Sequence, residues 1–122
     1  MHFEIITDES TRIVVASGSK AEIADTQSAL ELAMRAKYEA AAEKLLIDKR
    51  ILSDAFFILS TGLAGEILQK FTNYHIKAAI FGDYTRYTSK PLRDFIYETN
   101  QGTQFFFAAT REEGIQRLKA LP

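Results

Sequence analysis

The chain has 122 residues, 47% apolar and 25% charged, with 15 lysines and arginines against 16 aspartates and glutamates for a formal net charge of -1. That length and composition suit one globular domain with its own core and exclude a disordered or fibrous chain. The near-balance of charge offers no global attraction for nucleic acid or an anionic membrane, and the absence of cysteine removes disulfides, thiol catalysis and thiolate metal sites, which makes the cytoplasm the expected compartment.

The N-terminal MHFEIITDE lacks the basic segment and apolar run of a signal peptide. No stretch approaches the roughly 20 apolar residues that cross a bilayer. Phe3 to Thr7 and Arg12 to Ser17 are β-rich runs separated by Asp8-Glu9-Ser10-Thr11, which predicts a hairpin with these polar residues as its loop. Gly18-Ser19 ends the second run. Asp25 or Thr26 then supplies a cap oxygen for a helix to about Ala36, in which Leu30, Ala33 and Met34 recur at helical spacing.

Lys44 to Asp48 and Ile76 to Phe81 have the length and apolar content of buried parallel strands. Between them Leu63, Ile67, Leu68 and Phe71 form one helical stripe from about Gly62 to Thr72. Ser89-Lys90-Pro91 reads as a cap with proline in the first turn, opening a helix that carries Leu92, Phe95 and Ile96 and stops at Asn100 to Gly102. Gln104 to Ala108 is the last strand, and Thr110 with Glu113 forms a capping box that starts the last helix. The order ββαβαβαβα predicts an α/β domain with a mixed, mostly parallel five-stranded sheet and crossover helices.

In such sheets the carboxyl ends of the strands and the N-termini of the helices share one rim. Asp48 to Arg50, Ser60, Thr61 and Gly62, the stretch Asp83 to Lys90 with Tyr84, Tyr87 and Ser89 in it, and Arg93 are expected to gather there. Ser60 and Thr61 open the second helix, where free amides and the helix dipole favour an anion or a phosphoryl group; ordinary N-capping explains them as well. Gly62 and Gly65 are read as serving tight packing or turning. Asp83, after Gly82, is a candidate base, cation ligand or loop hub, or plain turn chemistry. Lys90 and Arg93 lie within one helical turn and can clamp an anion or merely be solvated. Tyr74, Tyr84, Tyr87 and Tyr97 suit a protein interface or the packing of their own loop.

His2 and His75 are too few and too separate to hold a metal, so neither metal nor cofactor is expected. No phosphate-binding glycine loop, dinucleotide fingerprint or serine-hydrolase elbow occurs. Without a nucleophile-base pair, the expectation is a binding module rather than an enzyme. A protein partner is expected first, a small anion second, and self-association through exposed aromatics third.

The blocks TGLAGEILQKFTNYHIKAAIFGDY and SKPLRDFIYETNQG together resemble a bacterial family of small domains of unknown function over nearly the whole chain. A more distant resemblance is to STAS domains of the anti-sigma-factor antagonist type, carried by the hairpin start and by Ser60-Thr61-Gly62-Leu63 at the entry to the second crossover helix. That resemblance implies a STAS-like fold, a regulatory role through protein interaction, and Thr61 as the counterpart of the phosphate acceptor. Leu59 stands where the motif of those proteins has Asp.

Overall fold

A computed structural model describes residues 1-122. Strands β1 (His2–Asp8) and β2 (Thr11–Ser17) are followed by α1 (Thr26–Glu39), β3 (Lys44–Asp48), α2 (Leu63–Asn73), β4 (Lys77–Phe81), α3 (Lys90–Asn100), β5 (Phe105–Ala108) and α4 (Arg111–Lys119). The five strands lie side by side in chain order, β1-β2-β3-β4-β5; β1 is antiparallel to β2 and the other pairs are parallel.

The hairpin turn is tighter than the sequence suggested. Asp8 pairs with Thr11, which leaves only Glu9 and Ser10 in the turn. Glu9 takes φ 54°, the positive value that a two-residue hairpin turn needs if it is to match the twist of its strands. Helix α1 runs to Glu39, a turn beyond its expected end, because Ala36 and Ala40 continue its buried face. Its start is a capping box: Asp25 accepts from the Ser28 amide at 2.8 Å, and the Asp25 amide donates to the Ser28 hydroxyl at 3.3 Å.

Helix α2 closes differently. His75 holds φ 59°, its amide donates to Thr72 at 3.1 Å, and the Ile76 amide donates to Phe71 at 2.8 Å. This is a Schellman motif with histidine at the left-handed position usually filled by glycine, and buried Ile76 and Phe71 supply the apolar contact that accompanies it. Strand β4 therefore starts at Lys77 rather than Ile76.

Because the strands advance in one direction across the sheet, right-handed crossovers put α1, α2 and α3 on the same face. That face holds a core of 25 buried residues, including Val14, Ala16, Leu45, Ile47, Ala78, Ile80, Phe105 and Phe107 from the strands. The opposite face carries only α4. There Ile13, Val15, Leu46, Ala79, Phe106 and Leu118 make a core of 6 buried residues. Gly114 lets α4 lie close to the sheet, since a Cβ at that position would stand 2.5 Å from Leu46 Cδ1.

Candidate functional site in the crevice between β4 and β5

The chain leaves β4 toward the three-helix face, where α3 lies, and leaves β5 toward α4 on the other face. Adjacent connections that part to opposite faces leave a crevice at the carboxyl ends of their strands, which is where open α/β sheets bind ligands. A cleft of about 830 Å³ occupies this position. The β4–α3 loop supplies Asp83, Tyr84, Thr85, Tyr87 and Thr88; α3 supplies Arg93, Ile96, Tyr97 and Asn100; Ala109 closes the β5 side.

Tyr84 and Tyr87 form the inner wall. Tyr84 donates its hydroxyl to the Ile80 carbonyl at 2.7 Å and meets Phe107 edge-on at 5.7 Å between centroids. Burial pushes that hydroxyl's pKa far above its ordinary value, so it serves packing rather than proton transfer. Tyr87 stacks on Phe57 at 5.1 Å and 17°, and the Lys49 ammonium sits 4.8 Å from the Tyr87 ring centroid. Gly82 makes room for that lysine: a Cβ there would come within 2.6 Å of Lys49 Cβ.

Asp83 closes an Asx turn. Its Oδ1 accepts from the Thr85 hydroxyl at 2.6 Å and from the Thr85 amide at 2.9 Å. These bonds, helped by Lys49 and Arg86, hold its pKa below the ordinary carboxylate value. An exposed carboxylate so stabilised is a weak base, which leaves the loop-hub reading of Asp83 as the one its contacts favour.

Arg93 reaches the crevice without an ion-pair partner, and Tyr97 follows it by one helical turn, 68% exposed. Lys90 does not join a free clamp, because its ammonium pairs with Asp94 at 2.6 Å on the exposed side of α3. Ser89 is the cap of α3, its hydroxyl accepting from the Leu92 amide at 3.4 Å, and it lines a smaller neighbouring cleft with Tyr87, Arg86, Phe57 and Ile58. Asn100 is committed to β5: its side chain accepts from the Phe107 amide at 2.7 Å and donates to the Phe107 carbonyl at 3.2 Å, covering that edge as a further strand would.

Ser60, Thr61 and Gly62 lie apart from this group and line none of the five main clefts. Three short 3₁₀ turns, Lys49–Ile51, Asp54–Phe57 and Leu59–Thr61, fill the connection from β3 to α2. Gly62, with φ 78°, is the cap residue of α2, in place of either hydroxyl. The Thr61 Oγ lies 2.8 Å from the carbonyls of both Ala55 and Ile58 and accepts from the Leu63 amide at 3.2 Å. Its donor and an acceptor site are thus used in tying the turn to the helix. Gly65 has open space around it, so tight packing does not account for it.

A second charged group borders the crevice. Asp48 is buried at the end of β3 and receives the Arg50 guanidinium at 2.8 to 3.2 Å and the Arg50 amide at 2.9 Å. Burial pushes the Asp48 pKa up, but the Arg50 bonds and charge outweigh it and leave the pKa lowered. Arg50, Lys49, Arg86 and Asp83 meet around a cleft of about 400 Å³ on this side.

Sequence reasoning left Tyr97, Ile96 and Asn100 out of the site, although their spacing from Arg93 was a readable signal of one helix face. Lys49 and Arg86 do share a cleft with Asp83, as expected of the stretches Asp48 to Arg50 and Asp83 to Lys90 on one rim. The described chain holds no group of three or more His, Cys, Asp and Glu side chains placed to bind a metal ion. No helix is long and apolar enough to cross a membrane.

No curated protein and no solved structure matches the chain. Residues 8–118, from the end of β1 to the last turn of α4, match the sequence model described as Domain of unknown function (DUF4180), and the chain belongs to that family.

Proposed function

We propose that this chain is a non-catalytic binding module of STAS-like architecture, working in the bacterial cytoplasm, and that its crevice between β4 and β5 takes a small organic anion. The observation that carries this reading is the crevice itself, a cleft of about 830 Å³ with Tyr84, Tyr87, Tyr97 and Ile96 as apolar wall and Arg93 unpaired at its side. That volume lies within the usual range for small-molecule sites, and an arginine beside aromatic faces suits a planar carboxylate or a phosphate with an apolar body. Catalysis has little support, because Asp83 is a weak base and the Tyr84 proton is held by burial.

In this reading a protein partner reads the occupied rim, from Asp83 to Arg93, and the regulatory signal is the presence of the anion. A phosphate on Thr61, as the STAS resemblance implies, would act separately, because it requires the hydroxyl to leave the Ala55 and Ile58 carbonyls. Amide chemical-shift titration with a panel of aromatic carboxylates and phosphate monoesters tests the proposal. Shifts should concentrate at 83–97 and 109, and Arg93→Ala should weaken binding at least about tenfold by removing a charge-assisted pair. Saturable shifts that ignore Arg93→Ala and Tyr97→Ala, or a whole panel without binding, would reject the crevice.

A further inference from the structure

Strand β1 is a free edge of the sheet, seven residues long. The other edge, β5, is short, and Asn100 covers it at Phe107. No helix or loop covers β1 in that way. Its two-residue turn makes Asp8 and Thr11 a hydrogen-bonded pair, so alternation directs the amides and carbonyls of His2, Glu4, Ile6 and Asp8 to β2. Those of Phe3, Ile5 and Thr7 then point away from the sheet and find no partner in the chain.

We infer that β1 pairs antiparallel with β1 of a second copy of this chain, about a twofold axis at Ile5. That register sets Ile5 against Ile5 of the second copy and Phe3 against Thr7. All three outward-facing residues thereby meet outward-facing residues. It also sets His2 opposite Asp8 at both ends, placing a group able to donate a hydrogen bond against a carboxylate. A one-residue slip would break both matches.

The side chains at this edge favour the same occupant. Ile5 is 50% exposed in the middle of a strand, and its parity puts it on the three-helix face. Arg35 of α1 lies over the Phe3 ring at 4.1 Å. Tyr38, 76% exposed, follows Arg35 by nearly one turn in the direction in which β1 runs toward Ile5. The twofold stands perpendicular to the sheet, so Tyr38 of each copy flanks the paired isoleucines on one face. On the other face Glu4 pairs with Arg111 and Asp8 lies 3.6 Å from Lys119, which braces β1 against α4 and keeps the edge extended. Natural edges are commonly blunted by lysine or proline, and β1 has neither.

Sedimentation velocity of the full chain over a concentration series, up to about 1 mM, reads the result. The chain should pass from monomer to dimer, and Ile5→Lys should raise the dissociation constant at least about tenfold with an unchanged circular dichroism spectrum. Since the chain has no cysteine, Ile5→Cys adds a single thiol at the axis, where paired Cα atoms at about 5.5 Å permit a disulfide. Under mild oxidation it should form a covalent dimer faster than Tyr97→Cys, which lies on α3. A chain monomeric throughout the series, a dimer indifferent to Ile5→Lys, or equal cross-linking by the two cysteine variants would overturn the inference.

Discussion

The two faces of the sheet are built on different terms. The three-helix face buries 25 residues in one apolar cluster, whereas the α4 face buries 6. Both buried charged side chains, Lys44 and Asp48, have the strand parity of Leu46 and so belong to the α4 face. Lys44 donates to the Leu121 carbonyl at 2.8 Å, and Asp48 holds Arg50. A single short helix leaves that face's margins within reach of water and chain ends, where a charge can be paired or hydrated; under the three helices no charged side chain is buried. Packing stability should therefore rest mainly on one face, and the response of buried charge to pH on the other.

Truncation in each core gives the largest test. Phe71→Ala, which removes a buried ring stacked on Phe105, should cost about 3–5 kcal/mol in urea denaturation. Leu118→Ala should cost about 2–4 kcal/mol, and hydrogen exchange should show α4 opening before α1 and α2. Equal protection of the two faces would erase the comparison. Next in size, Gly114→Ala should cost about 1–3 kcal/mol, because the added methyl meets fully buried Leu46.

Asp48→Asn removes the charge that Arg50 pairs and should cost about 1–2 kcal/mol at pH 7. The sign of its pH dependence follows from the lowered pKa. The stabilisation from the charged carboxylate is complete above the unfolded value, near 3.8, and is lost as pH falls through the lower folded value. The gap between Asp48→Asn and the parent chain should therefore close only in acid, which denaturation curves at several pH values would check. The smallest change is a gain. Gly65→Ala, with open space around it on α2, should add about 0.5–1 kcal/mol, opposite in sign to Gly114→Ala.

Much of the fold was legible because its signals are local. Asp25, Ser89 and Thr110 each cap the helix that their position announced, and Leu63, Ile67 and Phe71 do form the buried stripe of α2. The capping box at Thr110 is altered in one detail, with Glu113 reaching the Ala109 amide at 3.4 Å instead of the cap residue's own. The site was legible in its loop, 83–89, in Arg93 of α3 and in the placing of Asp48 to Arg50 on the same rim. Ser60 and Thr61 looked like free helix-start hydroxyls because their sequence matches a cap, but 3₁₀ turns placed Gly62 in that role.

The amino-acid sequence by itself determined the periods, caps and turns, since these depend on residues within a few positions of one another. Only the tertiary structure decided which face each helix covers, and hence that the crevice opens between β4 and β5 and that β1 is left as an uncovered edge. Those outcomes depend on strand order and crossover hand, which bring together residues as far apart as Lys49 and Gly82, or Asn100 and Phe107 across a turn. No local pattern encodes such meetings, because the free energy that selects them comes from burying whole faces at once.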